Sequence, residues 1–203
     1  MNLKSIHNIY FIGIGGVGMS ALASYFVAVG KTVGGYDLKP SGITDSLIEL
    51  GVRIQFEVSP SNIDQLFKDP SKTLVVFTPA VSQTNPLLSY FKSNSFQVLK
   101  RSEVLGIVTK NTRCLAVAGT HGKTTTSSIL AHLLYQSNEQ VTAFIGGISE
   151  NYQSNFIQKG TDISVVEADE FDRSFLTLSP DFACITSMDA DHLDVYGSEE
   201  SMA

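Results

Sequence analysis

The sequence has 203 residues, of which 43% are hydrophobic and 17% are charged, and its formal net charge is −6. This composition is typical of a globular protein with one or two buried cores, and a negative charge without any basic block argues against nucleic acid or a membrane surface as partner. No apolar run reaches the roughly 18 residues of a transmembrane helix and the N-terminus lacks a secretory pattern, so we expect a cytoplasmic protein.

The N-terminal segment contains a glycine loop between a predicted strand and a predicted helix. The strand covers residues 8–12, and Gly13, Gly15 and Gly18 follow it with the spacing G-x-G-x-x-G. A second strand ends at Asp37, close to the expected place of an acidic residue in a dinucleotide-type βαβ unit. This pattern predicts a loop that binds nucleotide phosphates. The alternative is that the glycines only let the helix pack closely on the strand.

Strands and helices continue to alternate along the rest of the chain. We predict a Rossmann-like domain with a parallel sheet over residues 1–110, and a truncated P-loop NTPase-like α/β domain over residues 111–203. Thr78 follows a buried strand, at the carboxyl edge where open α/β sheets bind ligands. Ser102 is predicted as the N-cap of the last helix before the boundary.

A second glycine loop follows the apolar run 115–118. It contains Gly119 and Gly122, then Lys123 and Thr124, and leads into a predicted helix. Glycines let backbone amides approach phosphates, the lysine would reach the β- and γ-phosphates, and the threonine hydroxyl would ligate Mg²⁺. We therefore predict a nucleoside triphosphate site. The alternative is a glycine turn with a surface lysine, because the usual phosphate loop has a further glycine where this chain has valine.

The helix after this loop is predicted to bury one apolar face. Its members are Ile129, Leu130, Leu133 and Leu134. Residues 151–161, further along the chain, are polar and are predicted to form a loop.

An acidic segment follows the predicted strand 163–166. Glu167 emerges directly from that strand, so we favour it over Glu170 as a ligand for Mg²⁺, which prefers oxygen. His192 follows a further apolar strand and is a second candidate metal ligand. Since parallel strands end at the same edge of a sheet, the ends after residues 118, 166 and 186 are expected to converge. The alternatives are a solvated acidic turn and a structural histidine.

Two further predictions concern the cysteines and the length of the chain. Cys114 and Cys184 lie in apolar runs, and we expect two free, buried thiols. The sequence ends in the middle of a strand–helix alternation, so we expect it to be part of a longer protein.

Four segments together resemble the Mur ligases. They are Gly13 to Ser20, Gly119 to Thr126, Glu167 to Asp172 with Ser174 to Leu176, and Asp191 to Asp194. The resemblance covers essentially the whole chain, and the family's third domain would be absent. In this family the phosphate loop has the shortened form Gly-Thr-x-Gly-Lys-Thr, which accounts for the missing glycine.

The resemblance implies specific roles for these segments. The first loop would bind a uridine nucleotide sugar through Gly13, Gly15, Gly16, Gly18 and Ser20, with Asp37 and Thr78 nearby. The second loop would bind ATP through Gly119, Thr120, His121, Gly122, Lys123, Thr124 and Thr125. Glu167 and His192 would bind metal together with Thr124, and Lys123 and His192 would be catalytic.

The implied activity is that of an ATP- and Mg²⁺-dependent ligase. It would join L-alanine to the carboxylate of UDP-N-acetylmuramate through an acyl phosphate, for peptidoglycan synthesis, with a homodimer as one option and the present chain inactive alone. A recycling ligase that adds a whole peptide to the same sugar nucleotide is the nearest rival. A nucleotide-binding module without catalysis and a nicotinamide-dependent dehydrogenase are further alternatives, although hydride transfer has no use for a triphosphate loop.

Overall fold

A computed structural model of the chain describes residue 3 and residues 5–169 and 171–189, with the side chains of 171–173 excepted. The chain forms two compact units, Met1–Val104 and Leu105–Ala203. The predicted boundary near residue 110 stays a prediction. In the part of the chain that the structure describes, none of the helices is both long enough and apolar enough to span a membrane.

The first unit is a five-stranded parallel sheet with the order β3-β2-β1-β4-β5. Its strands are β1 (Asn8–Ile12), β2 (Thr32–Tyr36), β3 (Arg53–Gln55), β4 (Thr73–Phe77) and β5 (Gln97–Lys100). Its helices are α1 (Val17–Ala28), α2 (Gly42–Glu49) and α3 (Pro86–Ser93), with 3₁₀ turns at Pro60–Asn62 and Gln65–Phe67. Helix α4 (Arg101–Thr109) begins in the first unit and ends in the second. The predicted Rossmann-like parallel sheet is confirmed.

Burial on both faces explains why the central strands of this sheet are apolar throughout. All five residues of β4 are buried, and Tyr10 on β1 packs against the rings of Phe67 and Phe91. Sheets covered on both faces have such continuous apolar runs. The prediction that Ser102 caps α4 is wrong, because that helix begins one residue earlier, at Arg101.

The second unit contains a five-stranded mixed sheet with the order β10-β6-β9-β7-β8. Its strands are β6 (Arg113–Ala118), β7 (Val141–Ser149), β8 (Ser154–Gln158), β9 (Ile163–Glu167) and β10 (Phe182–Ile185), and it also holds α5 (Lys123–Gln136) and a 3₁₀ helix (Phe171–Thr177). Strands β6, β7, β9 and β10 are parallel, so their carboxyl ends share one edge of the sheet. The predicted α/β class is confirmed for this unit as well.

The polar segment 151–161 is not a loop. Residues Ser154–Gln158 form β8, which pairs antiparallel with β7. Its residues alternate between buried and half-buried positions, with Ile157 in the core. An edge strand with one buried face needs few apolar residues, so its pattern resembles that of a polar loop.

Helix α5 also differs from the prediction in the face that it buries. Ile129 and Leu133 are 56% and 58% exposed, whereas Ser127 and Ala131 are fully buried. Leu130 and Leu134 pack against the core of this unit as predicted. The buried face therefore includes small residues, which let the helix approach the sheet closely.

The two cysteines are free, as predicted, but only one is buried. Cys114 on β6 is buried, and burial raises the pKa of its thiol. Cys184 is exposed because it lies on β10, an edge strand whose four residues are all exposed. The apolar run alone did not show whether this strand lies in the centre of the sheet or at its edge.

Stability of the first unit should depend on the N-cap of α2. The Ser41 hydroxyl oxygen accepts from the Thr44 amide, and the Thr44 hydroxyl oxygen accepts from the Ser41 amide in return. Replacing Ser41 by Ala should lower the free energy of unfolding by about 1 kcal/mol, because buried Thr44 loses its capping partner. Urea denaturation followed by circular dichroism measures this loss.

The matched control is Ser46→Ala on the same helix. Ser46 is exposed, and its hydroxyl donates to the Gly42 carbonyl one turn earlier. Its replacement should change the unfolding free energy by less than about 0.5 kcal/mol. Equal effects of the two substitutions would contradict the assignment of the cap.

Candidate nucleotide sites

The first glycine loop turns sharply at the end of β1. Gly13 has φ of +86°, which favours glycine, and the amides of Gly13 and Ile14 both donate to the Tyr36 carbonyl. A Cβ at Gly13 would lie 3.2 Å from Thr78 Cγ2. The structure therefore brings half-buried Thr78 against the loop, where the sequence placed it.

Asp37 lies under the same loop. Its carboxylate accepts from the Gly15 amide at 2.6 Å and from the Leu38 amide at 2.7 Å. This carboxylate thus fixes the course of the loop. Ser20, another predicted ligand residue, is 2% exposed and its hydroxyl donates to the Val17 carbonyl within α1.

Arg101 is a residue at this loop that the sequence analysis missed. A Cβ at Gly18 would lie 3.0 Å from Nη1 of Arg101, so the guanidinium lies directly against the first turn of α1. Arg101 follows β5 and is 83 positions away in sequence, and only the parallel sheet brings the two together. A guanidinium matches the geometry of phosphate oxygens.

The second glycine loop packs against the segment that follows β10. Gly119 has φ of +122°, and a Cβ there would lie 2.4 Å from Thr186 Oγ1 and 2.8 Å from the Ser187 amide nitrogen. The Thr186 hydroxyl lies 2.5 Å from the His121 carbonyl and 3.0 Å from the Ala118 carbonyl. The Ser187 Oγ accepts from the His121 amide at 2.9 Å. Glycine is thus required at position 119 by both conformation and space.

The remaining predicted ATP residues line this loop and the start of α5. Thr120 is 8% exposed and its hydroxyl lies 2.8 Å from Ser187 Oγ. The Lys123 ammonium donates to the Gly119 carbonyl at 2.6 Å, so it lies over the loop. Thr125 is exposed in the first turn of α5.

Glu167 joins three structural elements at the carboxyl edge of the sheet. Its Oε2 accepts from the Thr124 hydroxyl at 3.1 Å. Its Oε1 accepts from the Ser127 hydroxyl at 2.9 Å and from the Gly146 amide at 2.7 Å. The expected convergence of the ends of β6, β9 and β10 is observed, and Gly146, within β7, lies beside them.

Among the described residues, no group of three or more His, Cys, Asp or Glu side chains could hold a metal ion. The hydroxyl of Thr124 and the carboxylate of Glu167 lie side by side, and both are hard oxygen donors. His192 and Glu170 lie outside the described residues. The predicted roles of His192 in metal binding and catalysis stay predictions.

The two helices that follow glycine loops begin differently from two other helices. In the described part of the chain no side chain caps α1, which starts after Gly16, or α5, which starts after Gly122, and neither has an acidic residue in its first turn. By contrast, Ser41 caps α2 and Asn85 caps α3. In lacking a side-chain cap among the described residues, the starts of α1 and α5 resemble helix termini that bind phosphate.

Fold and loops together define an α/β protein with two glycine loops of the phosphate-binding type. A model of the Mur ligase family, catalytic domain, matches residues 8–113, and a model of the Mur ligase middle domain matches residues 117–203. The chain belongs to the Mur ligase family.

Two similar curated relatives carry the same name. The UDP-N-acetylmuramate–L-alanine ligase of Flavobacterium psychrophilum is 61% identical over 204 residues, which cover 100% of this chain and 45% of that enzyme. The enzyme of the same name from Parabacteroides distasonis is 54% identical over 99% of this chain and 44% of its own length. The chain thus spans less than half the length of these relatives.

Solved structures agree with this assignment. The UDP-N-acetylmuramate–alanine ligase of Thermotoga maritima has a TM-score of 0.86 and 33% identity, over 96% of this chain and 45% of that one. The UDP-N-acetylmuramate:L-alanyl-γ-D-glutamyl-meso-diaminopimelate ligase from Neisseria meningitides also has a TM-score of 0.86, with 26% identity, over 97% and 65%. Fold similarity alone therefore does not separate the two activities.

Two substitutions in the second loop distinguish the stability cost of a strained backbone conformation from the cost of a steric clash. Gly122 has φ of +83°, but a Cβ there would meet only Thr186 Cβ at 3.8 Å. Gly122→Ala should therefore cost about 1–2 kcal/mol of stability from strain alone. Gly119→Ala should cost about 1–3 kcal/mol more, because its Cβ also displaces Thr186 and Ser187.

Chemical denaturation measures the loss of unfolding free energy in each variant, and hydrogen exchange shows which amides lose protection. In Gly119→Ala the amides of Thr120 and His121, which donate to Ser187, should lose protection. Gly122→Ala should affect them less. Equal destabilisation and equal exchange in the two variants would show that the segment after β10 does not constrain the loop.

Proposed function

We propose that this protein is an ATP-dependent ligase that joins L-alanine to the carboxylate of UDP-N-acetylmuramate for peptidoglycan synthesis. The observation that carries the proposal is the pair of helices, α1 and α5, that start at glycine loops with no early acidic residue and, within the described ranges, no capping side chain. One such start suits the diphosphate of a sugar nucleotide, and the other suits a triphosphate. Membership of the Mur ligase family and the names of the relatives support the choice of substrates.

In the second unit the chain's own groups would bind ATP. The amides at the start of α5 would donate to a phosphate seated on the loop. Lys123 lies at the loop, with its ammonium 2.6 Å from the Gly119 carbonyl. A small movement of this flexible side chain would take it to the β- and γ-phosphates. There its charge would offset the negative charge on the transferring phosphoryl group.

The residues present also suit Mg²⁺. Thr124 and Glu167 offer two oxygen ligands whose donor atoms are already 3.1 Å apart. Mg²⁺ commonly takes one or two protein ligands and completes its shell with water and nucleotide phosphates. When bound, the ion would neutralise phosphate charge during transfer.

In the first unit the loop after β1 would bind the diphosphate of the sugar nucleotide. The uncapped start of α1 and the Arg101 guanidinium, which lies against Gly18, supply the positive charge. Asp37 already accepts from the Gly15 amide, so it shapes the loop. Thr78 lies at the carboxyl edge beside Gly13, within reach of a ligand seated on the loop.

The reaction follows from the poor electrophilicity of a carboxylate. A carboxylate oxygen of the sugar nucleotide would attack the γ-phosphorus of ATP, which releases ADP and gives an acyl phosphate. The amine of L-alanine would then attack the acyl carbon, an amide would form, and phosphate would leave. Lys123 would act in the first step, through the charge that develops on the phosphoryl oxygens.

Two alternative functions are close to this proposal. The peptide-recycling ligase uses the same sugar nucleotide, and the 61% identical relative favours L-alanine as the acceptor. A nucleotide-binding module without catalysis would bind ATP but would not release phosphate in response to the sugar nucleotide. Cytoplasmic location and a homodimer are further parts of the proposal.

Lys123→Ala tests the ATP site in the full-length protein. We expect phosphate release with ATP, UDP-N-acetylmuramate and L-alanine to fall at least about 100-fold, because a preorganised charge at the transferring group is lost. Calorimetric affinity for UDP-N-acetylmuramate should stay unchanged. Lys110→Ala, at an exposed position of the second unit, is the control. Unimpaired phosphate release by Lys123→Ala would remove the residue from its role.

Arg101→Ala tests the sugar-nucleotide site. We expect affinity for UDP-N-acetylmuramate to fall about tenfold or more, as for the loss of a hydrogen bond to a charged group, and Arg101→Lys should restore it only in part. Titration calorimetry measures these affinities. Arg53→Ala removes another arginine of the same unit, one that pairs with Asp64, and should have no effect. Equal losses in the two alanine variants would contradict a local role for Arg101.

A further inference from the structure

The two oxygens of the Glu167 carboxylate are held differently. Oε1 accepts from two donors, the Ser127 hydroxyl on α5 and the Gly146 amide on β7. Oε2 accepts only from the Thr124 hydroxyl among the described residues, and Thr124 is exposed. Oε1 is therefore held by two donors, of which Ser127 is buried, whereas Oε2 has the exposed Thr124 hydroxyl as its donor.

Ser127 is built into this arrangement. It is fully buried, and its hydroxyl lies 2.9 Å from Oε1 of Glu167 and 3.2 Å from the Thr124 carbonyl. A hydroxyl has one proton, and the carboxylate is the closer and stronger acceptor. The buried hydroxyl of Ser127 is therefore assigned as a donor to Glu167.

Gly146, on the neighbouring strand β7, donates its amide to the same oxygen, Oε1. A Cβ at this position would lie 2.5 Å from Glu167 Oε2, so a side chain here would push the carboxylate away. The amide of Gly146 therefore reaches Oε1 only because the residue is glycine. Rotation of the carboxylate to present both oxygens outward would break two hydrogen bonds at once.

We infer that Ser127 is a positioning residue that restricts Glu167 to one-oxygen coordination of a divalent cation, through Oε2, and thereby favours Mg²⁺ over Ca²⁺. This inference rests on the proposed function, because it assumes that Glu167 and Thr124 bind the cation of a nucleotide complex.

The preference follows from the coordination chemistry of the two ions. Mg²⁺ takes six ligands in a strict octahedron at about 2.0–2.1 Å, and a single carboxylate oxygen suits it. Ca²⁺ takes about 6–8 ligands at longer distances and often binds both oxygens of one carboxylate. A carboxylate with Oε1 already bonded to Ser127 and Gly146 offers Ca²⁺ no second oxygen.

Calorimetric titration of the full-length protein with adenylyl imidodiphosphate, in MgCl₂ or in CaCl₂, tests the inference. Ser127→Ala removes the hydroxyl, and Ser127→Cys keeps the volume of the side chain but is a weak donor. In both variants we expect the Mg²⁺-dependent affinity to fall about 10- to 100-fold, as for the loss of a partner that orients a metal ligand. The Ca²⁺-dependent affinity should fall less, so that the Mg²⁺/Ca²⁺ ratio decreases.

Ser128→Ala is the control, since Ser128 is the next residue of α5 and its hydroxyl is not among the groups that hold Glu167. It should leave both affinities unchanged. An unchanged Mg²⁺/Ca²⁺ ratio in both Ser127 variants overturns the inference, as does an effect of Ala that Cys lacks, which would indicate packing. If the unmodified protein binds no nucleotide with either ion, the proposed function fails as well.

Discussion

The structure depends on one steric constraint, the absence of a Cβ at the turns between strands and helices. At Gly13 and at Gly119 a threonine from a neighbouring strand end lies within 3.2 Å and 2.4 Å of where a Cβ would be. Close packing of this kind draws the backbone amides of each loop toward the carboxyl edge of its sheet. Both units therefore place the amides of a glycine loop at the carboxyl edge of a sheet, where we propose that an anion binds.

In the second unit the Glu167 carboxylate also accepts hydrogen bonds from the helix that follows the glycine loop. Glu167 ends β9 and accepts hydrogen bonds from α5 and from β7, so the position of the phosphate loop, the helix and two strands depends on a single side chain. Because hydrogen bonds to a charged acceptor are strong, the group is held before any ligand arrives. Preorganisation of this kind would lower the free-energy cost of binding a nucleotide at the proposed site.

Both glycine loops, the parallel order of the strands and the neighbourhood of Glu167 and Thr124 could be predicted from the sequence, because glycine spacing and apolar runs report local backbone geometry. The roles of Ser127 and Arg101 could not, since their partners are 40 and 83 positions away and only tertiary structure brings them together. Strand β8 and exposed Cys184 were missed because edge strands lack the burial that gives central strands their pattern.

The central claim is that the two loops serve two different anions, a uridine sugar nucleotide and a nucleoside triphosphate. Separate calorimetric titrations of the full-length protein with UDP-N-acetylmuramate, with ATP and Mg²⁺, and with NAD test it most directly. The account predicts one site for the sugar nucleotide, one independent site for ATP, and no binding of NAD. Tight binding of NAD without any signal from the uridine nucleotide would contradict it.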